Sequence, residues 1–197
     1  MKFTEMKRGN SDYTDLFLED ITRDDIYFMN LGGERKSDQY DPDNSMAVWV
    51  NESDGTQQIF EGFPARIGSC EESVYDEDLG EYVKTGNIRH YVKFKAYPGI
   101  RENKFTGRTY ASPKATLETP KEKEIIAPDK LIRLDKARIR SVDIKFRLYF
   151  SDRNKPYAIP VIEEIYVVAD ESLSLSGDYL GNKHSDSNFD NEPLPFD

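Results

Sequence analysis

Residues 88–97 read Ile-Arg-His-Tyr-Val-Lys-Phe-Lys-Ala-Tyr, and their alternation decides the fold class. Side chains on a β-strand point to opposite faces with a period of two. Ile88, His90, Val92, Phe94 and Ala96 make one face suited to a core; Arg89, Tyr91, Lys93, Lys95 and Tyr97 make the other. The second face holds no acid and interleaves rings with cations. A merely solvated strand face would mix Glu, Ser and Thr with its lysines. Rings that stack on bases, beside cations that pair with phosphates, are what a single-strand nucleic-acid platform needs.

Working outward, residues 138–150 repeat the design. Val142, Ile144, Phe146, Leu148 and Phe150 form an apolar face, and Lys145, Arg147 and Tyr149 follow Asp143 on the other. Residues 157–168 are apolar on both faces, so that strand is expected to be central or covered. Upstream, residues 24–30 predict a strand through Ile26 and Phe28, ended by the Leu31-Gly32-Gly33 turn. Residues 46–50 predict a short strand carrying the single tryptophan, Trp49, whose ring is open between core and platform, with core favoured. Residues 54–61 predict a short helix with Ser53 or Asp54 as N-cap and Gly62 as its stop, and a strand is expected near 63–67. Residues 70–81, with six acids, read as an acidic loop. Thr85-Gly86-Asn87 reads as the turn of a hairpin between 82–84 and 88–97. Residues 100–114 carry Arg101, Lys104, Arg108, Tyr110 and Lys114 beside the platform strand. Residues 117–134 read as charged and partly helical, broken at Pro120 and Pro128.

The net charge of −10 hides an asymmetry. Residues 86–157 hold 18 Lys and Arg against 8 Asp and Glu, while the remainder holds 9 against 29. Placement of charge, more than its total, decides where a polyanion can sit. From residue 170 the composition turns to Ser, Gly, Asp and Asn, with 7 acids and one Lys, as in a disordered tail. The expected organisation is an N-terminal arm at 1–20, a domain at 21–170 and a disordered acidic tail at 171–197.

Several classes are set aside on composition. No run of about 18 apolar residues exists, and the first residues lack the apolar core of a signal peptide, so a cytoplasmic protein without membrane contact is expected. Cys70 is the single cysteine, and His90 and His184 are the two histidines; neither a disulfide framework nor a conventional zinc site follows. Asp41-Pro42-Asp43-Asn44 lacks the ligand pattern of a calcium loop and reads as a turn. No Gly-rich phosphate loop or nucleophile elbow is present. A non-enzymatic protein with no cofactor and no metal is expected.

Four stretches together resemble a known family. They are residues 25–30 (Asp-Ile-Tyr-Phe-Met-Asn, with Gly33), Glu61-Gly62-Phe63 after the short helix, 137–144 (Ala-Arg-Ile-Arg-Ser-Val-Asp-Ile) and 158–171 (Ala-Ile-Pro-Val-Ile-Glu-Glu-Ile-Tyr-Val-Val-Ala-Asp-Glu). They look like the phage-encoded single-stranded DNA-binding proteins with an OB-like β-barrel, over roughly residues 20–171. The end of the chain is similar to the acidic tip of bacterial single-stranded DNA-binding proteins, where acids precede a terminal Pro-Phe that docks replication and repair partners. Here Asp190 and Glu192 precede Leu194-Pro195-Phe196, and Asp197 follows, so the terminal carboxylate is displaced by one residue.

The resemblance implies a mainly β fold: an OB-like β-barrel of about five strands with one or two short helices, an extended N-terminal arm and a disordered acidic C-terminal tail. It also implies sequence-independent binding of single-stranded DNA in phage replication or recombination, in the host cytoplasm. The expected DNA contacts are Arg89, Tyr91, Lys93, Lys95, Tyr97, Arg101, Lys104, Arg108, Tyr110, Lys114, Lys145, Arg147 and Tyr149. Asp190, Glu192, Leu194, Pro195, Phe196 and Asp197 are expected to recruit replication or recombination proteins. The tail is expected to compete with DNA for the basic groove. Homo-oligomerisation stays open. The rival reading is a β-sandwich structural or adhesion module of a virion, with which long alternating strands are also compatible.

Overall fold

The computed structural model describes residues 1–7, 14–33, 43–51, 55–62, 65–77, 79–150 and 157–170. Among them the first strands in chain order are β1 (Lys2–Lys7), β2 (Thr14–Ile21), β3 (Ile26–Asn30) and β4 (Ser45–Val50). Helix α1 (Thr56–Glu61) precedes β5 (Ile67–Asp76) and the long β6 (Glu81–Lys95). Two short hairpins follow, β7 (Gly99–Glu102) with β8 (Thr109–Ser112), and β9 (Lys114–Glu118) with β10 (Lys123–Ile126). Helix α2 (Ile132–Asp135) leads into β11 (Ile139–Tyr149) and β12 (Ile159–Ala169).

Ten strands form one sheet along the path β1-β2-β11-β12-β6-β4-β3, with β5 paired to β6 and the β9–β10 hairpin attached through β9 to β12. The path ends at β1 and β3 without joining them. This is an OB-like, mainly β architecture in its partly open form. Its strands exceed the expected five because short, charged segments such as β10 lack a legible period and are completed by their partners. The N-terminal arm lies along one edge of the sheet as the β1–β2 hairpin, and β2 pairs with β11.

Why the sheet curls around one core follows from the alternation. Val142, Ile144 and Phe146 of β11, Val92 and Phe94 of β6, and Met46, Val48 and Val50 of β4 all turn to the same side. There they meet Ile162, Ile165 and Val167 of the central β12, with Leu16 and Leu18 of β2. Four rings interlock at the centre. Phe94 and Phe146 meet edge-on with centroids 5.0 Å apart, and Phe60 of α1 and Phe3 of β1 complete the group at 6.4–6.5 Å. Helix α1 thus exists largely to deliver Phe60. Its C-cap is Gly62, as expected, but its N-cap is Gly55 in the left-handed region and not Ser53 or Asp54; positions 53 and 54 lie outside the described residues. So do positions 63–64 of the strand expected near 63–67, and β5 itself begins at Ile67.

The turn after β3 is held from a distance. The Asp135 carboxylate accepts hydrogen bonds from the backbone N–H groups of Leu31 and Gly32, at 2.7 and 2.8 Å. Ile132 of α2 packs directly on Gly32, where a Cβ would meet its backbone at 2.7 Å. Only glycine fits there.

Three expectations are corrected. Residues 70–76 are not a loop: they belong to β5, paired with β6 on either side of Glu72. Acids hide the strand in the sequence, and its pairing is supported across the ladder by Lys84–Glu71 at 3.4 Å and Arg89–Glu72 at 3.7 Å. Thr85-Gly86-Asn87 is not a turn but lies at an irregularity within β6, between the pairs Glu71–Ile88 and Ser73–Lys84. Gly86 has φ +81° there, the left-handed region a bulge favours. The actual turn includes Glu77, Leu79 and Gly80. Finally, residues 117–134 are mostly the β9–β10 hairpin, with helix confined to short turns around Pro128 and Ile132.

Candidate nucleic-acid interface

The outer face of β4 and β6 departs from a simple platform. Tyr91, expected to present its ring to solvent, is only 4% exposed. It joins Phe28 and Ala47 in a second cluster, on the side of the sheet away from the main core, against Tyr27, Trp49 and Cys70. Tyr27 lies between Trp49 and Tyr91, with centroids 4.1 and 5.2 Å away. The period assigned Tyr91 to the correct face; neighbouring strands then covered that face with their own rings. Burial, then the Cys70 thiol, push the Tyr91 hydroxyl above its ordinary value, opposed by the charge of Arg66. Trp49 is half-buried in this outer cluster and not in the main core, and Arg89 lies over its ring at 4.0 Å. Ile88, assigned to the core face, is 59% exposed, because β4 ends its pairing at His90 and, among the described residues, β5 alone pairs with β6 beyond it.

Gly68 of β5 sits opposite Tyr91, and a Cβ there would run into the Tyr91 ring. Gly68→Ala is therefore expected to displace a packed ring and cost about 1–3 kcal/mol. A denaturant midpoint equal to the parent's would show that the ring can yield.

Most of the expected cations are matched by acids on other elements. Lys93 and Lys95 both face Asp43, Lys93 in close contact and Lys95 at 3.4 Å. On β11, Lys145 reaches Asp15 of β2 at 3.3 Å and Glu164 of β12 at 3.5 Å, and Arg147 reaches Glu163 at 3.6 Å. Lys114 meets Glu164 at 3.8 Å. The acid-free reading held along residues 89–97 and failed across strands, since lateral neighbours share a face. Tyr149 is exposed at the end of β11.

Asp43 is the gate on two of these lysines. Burial alone would raise its carboxyl, but the hydrogen bond and charge of Lys93, then the charge and hydrogen bond of Lys95, outweigh it and hold the group below its ordinary 3.8. A depressed folded value stabilises the fold above the unfolded value, and that contribution is lost as pH falls through the folded one. Asp43→Asn is expected to lower stability slightly at neutral pH and to tighten oligo-dT binding at low salt, because the charge facing two lysines disappears. Unchanged affinity would remove Lys93 and Lys95 from the interface.

The β7–β8 hairpin is different. Its register places Arg101 directly opposite Tyr110, so both point to one side. The loop is closed by Gly107 N–H donating to the Asn103 carbonyl at 2.8 Å, with Gly107 at φ +66°. The Asn103 side-chain oxygen accepts from the N–H groups of Phe105 and Thr106 at 2.9 and 3.1 Å. This Asx turn holds Phe105 at the tip, 100% exposed. Tyr110 and, just before the hairpin, Tyr97 are exposed at 51% and 43%. Among the described residues, Arg101, Lys104 and Arg108 make no ion pair. Of the nine cations among the expected DNA contacts, these three alone lack an acidic partner there. Phe105 was missed as a site residue, although a phenylalanine in Asn-Lys-Phe-Thr-Gly, with no strand to pack it, was a legible signal.

Among the described residues no three His, Cys, Asp or Glu side chains gather as a metal site, and no helix is long and apolar enough to cross a membrane. The six expected partner-binding positions from Asp190 to Asp197 lie outside the described residues. No protein-family model and no curated protein matches the chain. Among solved structures, it is similar to the crystal structure of gp2.5, a single-stranded DNA binding protein encoded by bacteriophage T7, with 13% identity over 85% of this chain and 98% of that chain, at a TM-score of 0.37.

Proposed function

We propose that this chain is a non-enzymatic, sequence-independent single-stranded DNA-binding protein of phage replication or recombination, with the β7–β8 hairpin as its principal contact. One observation carries the reading: three cations without acidic partners among the described residues, interleaved with the exposed rings of Tyr97, Phe105 and Tyr110. Bases stack on such rings whatever their identity, and phosphates pair with such cations whatever the sequence. Trp49 and Tyr27, with Arg89 over the indole, extend the surface onto the β4–β6 face. Lys93, Lys95, Lys114, Lys145 and Arg147 contribute where phosphate displaces their carboxylate partners. The acidic tail recruits partner proteins and competes for the basic surface.

Titration of labelled oligo-dT at increasing salt tests this. At roughly −0.7 per contact on a single strand, the three hairpin cations should contribute about −2 to the log–log slope. Arg101→Ala, Lys104→Ala and Arg108→Ala combined should flatten most of it. No binding, or a slope unchanged in the triple variant, overturns the assignment.

A further inference from the structure

A second exposed hairpin remains, and its chemistry is opposite to the first. From His90 outward β6 loses β4 and pairs with β5 alone, so residues 70–76 and 81–89 stand off the barrel as a two-stranded ribbon. Tyr75 lies opposite Tyr82 and Val74 opposite Val83. All four are exposed, as is Leu79 in the turn. One side of the ribbon thus carries a tyrosine pair, in contact edge-on at 5.3 Å, and the other a valine pair. Glu77 and Glu81 make no ion pair among the described residues, and Asp76 faces Glu81 across the ladder.

A two-stranded ribbon is marginal alone in water, and like charges opposed on it weaken it further. At its far end Asp76, Glu77 and Glu81 repel phosphate, so nucleic acid is not the ligand of the ribbon's tip. The matching surface is on the same chain: the β7–β8 hairpin offers Lys104 and Arg108 beside the exposed Ile100, Phe105 and Tyr110. Both hairpins are exposed in one copy, so their meeting is between copies.

We propose that the β5–β6 ribbon of one copy docks on the β7–β8 hairpin of a second copy, head to tail, burying apolar side chains within a ring of opposite charges. Such a contact uses two different patches and does not close on itself as a two-fold dimer does. Assembly therefore grows with concentration and weakens with salt. Where the proposed DNA site is right, oligo-dT competes for the same hairpin and dissolves the assembly.

Sedimentation velocity on the full chain at low salt tests this. The parent should at least double its apparent mass from 22.8 kDa with rising concentration. Glu77→Lys with Glu81→Lys should stay at monomer mass, as should Lys104→Glu with Arg108→Glu. An equimolar mixture of the two should regain the parent's mass, since each reversed patch then meets its complement. Rescue on mixing cannot come from misfolding. A parent that remains at 22.8 kDa, ribbon variants that assemble like it, or a mixture that stays monomeric overturns the contact. Loss of assembly on deleting residues 172–197, with ribbon variants unaffected, overturns it in favour of the tail. An assembly that depends on the ribbon but withstands bound oligo-dT keeps the contact and overturns the shared DNA site.

Discussion

Phe105→Ala is expected to weaken oligo-dT binding by about 1–3 kcal/mol, roughly 5- to 150-fold at tenfold per 1.4 kcal/mol. Tyr110→Ala should lose a similar amount. The reason is geometric. The Asx turn at Asn103 fixes the Phe105 ring in solvent, so no folding contact is given up when it is removed. The thermal midpoint of both variants should stay within a degree or so of the parent's. Tyr91→Ala is the control: its ring is buried between Tyr27 and Gly68, and its loss should appear first as lost stability. Equal DNA affinity in the Phe105 variant would move the interface off the hairpin. A large stability loss in that variant would show the ring packed after all.

Phe94→Ala should have the largest effect on folding. The ring is fully buried and touches Phe60 and Phe146 edge-on, linking β6, α1 and β11 across the core. Truncating such a ring costs about 3–5 kcal/mol, because transfer free energy is lost and a cavity remains. For a chain of this length that is about 6–20 °C in thermal midpoint. The variant should bind oligo-dT normally at temperatures where it is folded, since Phe94 lies in the main core and not among the exposed rings of the β7–β8 hairpin. A shift under about 2 °C would mean that the core collapses around the gap, and that the four-ring centre is not the keystone of the sheet.

Alternation within β6 and β11 was legible in the sequence, and so was the central place of β12. A period of two is a property of one strand's backbone and needs no partner to be read. The short helix with Gly62 at its end, the strands at Ile26 and Met46, and the charge asymmetry were legible for the same reason: each rests on near neighbours along the chain. Three matters waited for the tertiary structure. Glu71 and Glu72 lie in a strand because β6 offers them a ladder and two cations. Tyr91 is buried because β3 and β4 bring Tyr27 and Trp49 over it. Lys93, Lys95, Lys145 and Arg147 are matched because Asp43, Asp15, Glu164 and Glu163 come from other elements. Sequence period assigns a side chain to a face. What shares that face comes from residues up to 130 positions away along the chain (Asp15 against Lys145), so only the pairing of strands decided which cations and rings were left for a ligand.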